Sequence, residues 1–136
     1  MKQKINKKEE KRKLLKQLKS ANRKLEKQKY EEWVKKVKER DNYTCQICKK
    51  YLKDGNVHNI QAHHILAKTT YPELKFDINN GITLCYYDHK NSKVSPHLNG
   101  FAFTHYLMKN KVKQYKYLLK FLNTKVLLLN SNTQKT

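Results

Sequence analysis

The sequence predicts an α+β fold, with a small cysteine-bracketed β-hairpin and helix flanked by longer helices. Three observations predict it. The first forty residues contain neither Gly nor Pro and are rich in Lys, Glu, Gln and Leu, a helix-forming composition. From Asp41 to about Asn99, cysteines, histidines, tyrosines and turn residues appear together. After Gly100, apolar residues return at helical spacing.

Residues 1–32 read as a basic helical arm. Leu14, Leu18, Ala21 and Leu25 keep a heptad spacing until Gln28 breaks it, too short a run to argue a coiled coil. Trp33, Val34 and Val37 begin a second apolar stripe, expected to dock on the following domain, residues 33–99. Within that domain, residues 57–66 read as a strand and 69–79 as a loop holding Pro72, with Phe76 expected to plug the core. Asn80-Gly81 is a turn signal, Ile82-Thr83-Leu84 a short strand, and residues 86–94 open a short helix. Residues 100–130, with Phe101, Phe103, Leu107, Val112, Tyr115, Leu118, Leu119 and Leu122, read as amphipathic helices packing back on the domain. Residues 131–136 read as a polar, disordered tail.

Composition narrows the function. The 136 residues carry 31 Lys and Arg against 11 Asp and Glu, a net charge of +20, and only 38% are hydrophobic. A core that small is expected to need a staple. The three cysteines are an odd number, which argues against a closed disulfide framework and leaves metal ligation open. No apolar run approaches the roughly 20 residues of a membrane span. Met1-Lys2-Gln3-Lys4 lacks the apolar stretch of a signal peptide, so the expected location is cytoplasmic.

A chain this basic seeks a polyanion, with nucleic acid first and an anionic membrane surface second. Residues 1–40 hold 17 Lys and Arg against 6 Glu, a net of +11, whereas residues 41–136 hold 14 against 5, a net of +9. The bland reading of the arm is a solvated helix. Its charge density favours an arm along phosphates, because neutralising phosphates releases counterions. The expected contacts are Lys11, Arg12, Lys13, Lys16, Lys19, Arg23 and Lys24, with Lys68 and Lys93 beyond the arm.

Four elements carry chemistry, in order. Cys45-x-x-Cys48 follows Arg40-Asp41-Asn42-Tyr43, His63-His64 lies on the expected strand, Asn80-Gly81 comes next, and Leu84-Cys85-x-x-Asp88-His89 ends the series. Each element alone is weak. Together, with 15 residues between His64 and Asn80 and 8 between Asn80 and His89, they are specific. Over residues 33–97 the pattern resembles the HNH endonuclease family, of the zinc-knuckle type. The resemblance implies a ββα-metal core and a metal-dependent endonuclease acting on double-stranded DNA, with 5′-phosphate and 3′-hydroxyl products. The small, Lys-rich chain fits a phage or mobile-element enzyme of homing type, which would place it in the host cytoplasm.

The residue types suit that chemistry. Phosphodiester hydrolysis needs an activated water, charge relief at phosphorus and help for the leaving oxygen; a divalent ion supplies the last two. An imidazole titrates near neutrality and can take the water's proton. Successive strand residues face opposite ways, so His63 and His64 cannot do the same job. The resemblance makes His64 the general base, His63 and His89 ligands of a catalytic Mg²⁺ or Mn²⁺, and Asn80 the residue orienting the His64 ring.

Two departures stand out. The family's commonest spacing places a further histidine at position 93, where this chain has Lys93; His97 remains a candidate, while His58 and His105 lack motif support. The resemblance also implies a cysteine at position 88. Asp88 stands there, so Cys45, Cys48, Cys85 and Asp88 are the expected ligands of a structural Zn²⁺, carboxylate oxygen being an accepted donor. Otherwise Asp88 caps a helix. A rival reading from another class is a catalytically weak nucleic-acid-binding module on the same scaffold.

Overall fold

The computed structural model describes residues 2–49 and 59–133. Helix α1 (Lys2–Arg40) leads to strand β1 (Ile60–His64), single 3₁₀ turns at Pro72–Leu74 and Ile78–Asn80, and strand β2 (Gly81–Cys85). Helices α2 (Tyr86–Lys90), α3 (Gly100–Asn110) and α4 (Val112–Thr133) complete the chain. The two strands pair antiparallel, with Ile60 opposite Cys85 and His64 opposite Gly81. The architecture is therefore α+β, as the sequence predicts.

The arm and the Trp33 segment form one helix. Its residues 6–32 face solvent, including Leu14, Leu18 and Leu25, each at least half exposed. Lys27–Glu31, Glu32–Lys36 and Lys35–Glu39 pair one turn apart along it. Only the last third packs, through buried Trp33 and Val37. The helix ends as the Tyr43 N–H reaches back to the Lys38 carbonyl, with Asn42 and Tyr43 both at φ 51°.

Charge then fixes the helix end to the hairpin. The Arg40 guanidinium grips both Asp41 oxygens at 2.9 Å and donates to the Ile78 and Gly81 carbonyls. Buried Asp41 in turn accepts the Thr83 N–H at 2.8 Å. A buried carboxylate is tolerable only with such partners.

A turn does precede β2, as Asn80-Gly81 signals. Asn80 closes a 3₁₀ turn, and Gly81 opens β2 with extended backbone at φ −117°. Glycine is required there by close approach: a Cβ would lie 2.4 Å from Val37 Cγ2 and 2.8 Å from Trp33 Cζ2. The helix that supplies Trp33 sits directly on the strand start.

The core gathers Cys45, Ile60, Ile82, Leu84, Cys85, Phe103 and Leu107. Of the stripe expected after Gly100, Phe103, Leu107 and Leu118 are buried and Tyr115 and Leu122 half-buried, while Phe101, Val112 and Leu119 are exposed. The stripe is split because α3 and α4 are separate helices with Lys111 between them. In the loop it is Leu74 that is buried and Phe76 that is half-buried, since the Pro72–Leu74 turn aims Leu74 inward. Helix α2 stops at Lys90, short of the expected 94, and α4 runs on to Thr133, three residues into the expected tail. His58 and the start of the expected strand at 57 lie outside the described residues.

Gly81→Ala is expected to lower stability by about 1–3 kcal/mol, the usual cost of overpacking. Urea unfolding of the two proteins measures it.

Candidate functional site

Two clusters of potential metal ligands flank the hairpin. Cys45, Cys48, Cys85 and Asp88 form the first, their ligand atoms all within 4.8 Å of one another. The Asp88 Oδ2 lies 3.1 Å from Cys45 Sγ and 3.4 Å from Cys85 Sγ, and Cys48 Sγ lies 3.9 Å from Cys85 Sγ. Cys45, Cys85 and Asp88 are buried. Burial pushes the Cys45 and Cys85 thiols up. Burial also opposes ionisation of Asp88, but thiol hydrogen bonds from Cys45, Cys48 and Cys85 outweigh it and hold the carboxyl below its usual range. Cys85 caps α2 by accepting the Asp88 N–H, so the cap that was the alternative role of Asp88 belongs to Cys85. The donors fit a tetrahedral metal site: three sulfurs and one carboxylate oxygen in one cluster, with Cys48 at its exposed edge.

The second cluster is His63, His89 and His97, their ring nitrogens likewise within 4.8 Å. His63 Nδ1 and His97 Nε2 each lie 2.9 Å from His89 Nε2. The His89 Nδ1–H donates to Gln61 Oε1 at 2.6 Å. That bond leaves Nε2 a lone pair, the form in which imidazole ligates, held by an outer-shell amide. Burial first, then the neighbouring rings and Lys90, pushes His63 down to about 3; burial, then Lys90 and His97, pushes His89 down to about 4. Both rings are neutral and ready to bind a metal at pH 7.

His97 completes this set from a loop. Buried Ser95 donates its hydroxyl to the His89 carbonyl at 2.7 Å and accepts the N–H groups of His97 and Leu98. One serine thereby folds the chain back so that His97 meets His89. A histidine at position 93 would share a face with His89 only if the helix continued, and α2 ends at Lys90. Lys93 is exposed in the turn beyond it. Gln61 and His97 are the residues sequence reasoning left without a role. Gln61 was findable, since it stands two positions before His63 and so on the same strand face.

His64 faces the other way. Its ring stacks on the Trp33 indole, centroids 4.0 Å apart and planes 5° from parallel, with Tyr30 alongside. Its Nε2–H donates to the Lys75 carbonyl at 2.8 Å, leaving Nδ1 with the lone pair. Burial lowers its pKa, against the Lys75 carbonyl bond, which raises it.

Asn80 does not orient that ring. Its Oδ1 accepts the Leu66 N–H at 2.7 Å, and its Nδ2 donates to the Leu66 and Leu74 carbonyls. Fully buried, Asn80 pins the chain just after β1 to the chain just before β2. The ring is oriented by Trp33 and the Lys75 carbonyl instead.

The basic candidates Lys11, Arg12, Lys13, Lys16, Lys19, Arg23 and Lys24 are all exposed on α1. Lys68 is exposed, its ammonium 5.3 Å over the Tyr30 ring. Tyr43, Tyr86 and Tyr87 also stay exposed, whereas Tyr71 packs against Phe121. His105 is exposed. Among the described residues no helix is long and apolar enough to cross a membrane.

Comparison with protein-family models, with curated proteins and with solved structures finds no match to this chain.

Two outcomes follow from the site. The purified protein is expected to hold one tightly bound ion at the cysteine cluster, and Asp88→Ala to weaken it beyond the ~10–100-fold that loss of an outer-shell partner costs. Elemental analysis and competition with a chelator read both. In the metal-free protein, His63 and His89 stay neutral in the fold down to about 3 and about 4, against 6.5 for an ordinary histidine. The unfolded chain therefore binds more protons below that value. Stability should be intact above 6.5 and fall as the pH drops towards 4, by no more than about 1.4 kcal/mol per pH unit per ring. Urea unfolding at stepped pH tests the direction.

Proposed function

We propose that the chain is a metal-dependent endonuclease of the HNH type, with β1, β2 and α2 as its ββα-metal core. The observation that carries this reading is the pair of roles on β1. His63 joins a three-imidazole set on one face, while His64 is held on the other in a single tautomer with Nδ1 unprotonated. A divalent ion held by His63, His89 and His97 would act as a Lewis acid on the scissile phosphate and help the leaving oxygen. Three nitrogen donors suit a borderline first-row ion better than oxygen-seeking Mg²⁺, so of the two expected ions Mn²⁺ fits better.

The remaining steps belong to the chain's own residues. The His64 Nδ1 takes the proton of the attacking water, and the lowered pKa keeps that nitrogen available near neutrality. Water oxygen bonds to phosphorus, the bond to the 3′ oxygen breaks, and a 5′-phosphate and a 3′-hydroxyl result. Trp33 and the Lys75 carbonyl keep the His64 ring from turning, which fixes where the lone pair points. The cysteine cluster, with Zn²⁺ as the ion that best suits three sulfurs and a carboxylate, would join the chain before the hairpin to the chain after it. The exposed cations of α1 supply affinity for double-stranded DNA by neutralising phosphates. A phage or mobile-element origin accords with the small, Lys-rich chain.

A binding module would share the charge but has no use for His64 held in one tautomer opposite a His63, His89 and His97 set. A nicking assay on supercoiled plasmid with Mn²⁺, with Mg²⁺ and with EDTA separates the two readings. His64→Ala is expected to lower cleavage at least about a hundredfold while sparing DNA binding. His63→Ala, His89→Ala and His97→Ala should instead raise the metal concentration needed. Wild-type cleavage by His64→Ala would remove the general-base role, and no cleavage by the native chain with any ion would favour the module.

A further inference from the structure

A cleft between the end of α1, the Ile78–Asn80 turn and the α3–α4 junction belongs to neither metal cluster. Its volume is about 690 Å³, and its lining includes Arg40, Gln46, Lys111, Lys113 and Gln114. The one carboxylate in the lining, Asp41, is already engaged by two Arg40 nitrogens and the Thr83 N–H. At the rim the oxygens of Asp77 are taken by the Asn79 N–H and the Tyr117 hydroxyl.

The cations are not balanced in the same way. Lys111 is half-buried, and its ammonium is held at the cleft by the Gln46 side chain. Burial, then Lys49, pushes its pKa down, and Arg40 adds to the effect against Asp41. Lys111 and Lys113 thus line an open cavity whose nearby carboxylates are committed elsewhere. Such a cavity lowers its energy by taking an anion that brings several acceptor oxygens, and phosphate does so.

We propose that this cleft binds a backbone phosphate of a nucleic-acid strand, as a contact distinct from the solvent-facing arm. The choice of a strand over a free phosphate follows from position. Arg40 at the cleft and exposed Lys29 lie on one face of one helix, since eleven residues at 100° each end about 20° apart, and about 17 Å along it at 1.5 Å per residue. That span equals about five base steps at 3.4 Å, so one duplex lying along that face of α1 reaches both. The identity of the strand rests on the proposed function, whereas the anion chemistry of the cleft does not.

The test compares the full chain with a Lys111→Ala/Lys113→Ala double variant, both residues lining the cleft. Fluorescence anisotropy with a labelled duplex at several salt concentrations gives the slope of log K against log salt. The slope should shrink by about 0.9 per contact removed, close to 1.8 for the pair, and equally for unrelated sequences. A Lys111→Arg/Lys113→Arg variant should keep the native slope. Hydrolysis of bis(p-nitrophenyl) phosphate with Mn²⁺ should be the same in all three proteins, since neither lysine belongs to the histidine centre. A smaller slope in a protein that cleaves nothing would keep the cleft and sink the nuclease. An unchanged slope overturns the proposal. In a parallel arm, inorganic phosphate is titrated while the amide resonances of residues 111–114 are followed. Millimolar phosphate shifting them while the duplex slope stays unchanged would make the cleft a small-anion site and likewise overturn the strand.

Discussion

Adjacent residues on an extended strand point to opposite faces, and β1 turns that necessity into a division of the molecule. Gln61 and His63 look towards α2 and the Ser95 loop, where His89 and His97 wait. His64 looks towards α1, where Trp33 and the Lys75 carbonyl hold it. A slip of one residue would exchange the faces and place each ring among the other's partners. The register therefore has to be pinned. Asn80 does this with three side-chain hydrogen bonds, and its own carbonyl takes the Ile65 N–H at 2.9 Å. A buried amide can be satisfied by such a set of bonds only in one alignment of the two strands, so it acts as a register lock.

What the sequence made legible was whatever depends on local spacing. The x-x spacing of Cys45 and Cys48, repeated by Cys85 and Asp88, announced the first cluster. Trp33 and Val37, four apart, announced the docking face of α1. What stayed illegible depends on tertiary placement. His97 could not be assigned because its role turns on where α2 stops and on how Ser95 bends the chain. That Gly81 lies just past the turn was not legible, because a glycine demanded by a neighbouring helix looks, in sequence, like a glycine demanded by a turn. Leu74 and Phe76 are two apart in one loop, and only the 3₁₀ turn decides which of them points inward.

The charge of the arm and the charge at its end obey different physics. Along residues 6–32 the lysines stand in water, where ion pairs contribute little and salt screens them. At Arg40 the guanidinium is spent on structure, with a buried carboxylate and two carbonyls as partners. One helix thus carries a solvated surface at its start and a fixed structural joint at its finish. The joint sets the direction in which the surface leaves the domain, because Trp33, Val37 and Arg40 all engage the hairpin within two turns of helix.

The two clusters are linked through α2. Asp88 and His89 are consecutive residues of that five-residue helix, about 100° apart around its axis. Asp88 turns to the cysteines and His89 to the histidines. A helix so short cannot twist between neighbouring residues without breaking its few hydrogen bonds, so a displacement of Asp88 is a displacement of His89. Both clusters also respond to acid in one direction, since thiols must lose protons and imidazoles must stay neutral to bind a metal. An ion at the cysteine cluster would therefore do more than tie down a small core. By fixing Asp88 it would fix the angle at which His89 presents its lone pair, and so settle the centre of the three-imidazole set before any ion arrives there.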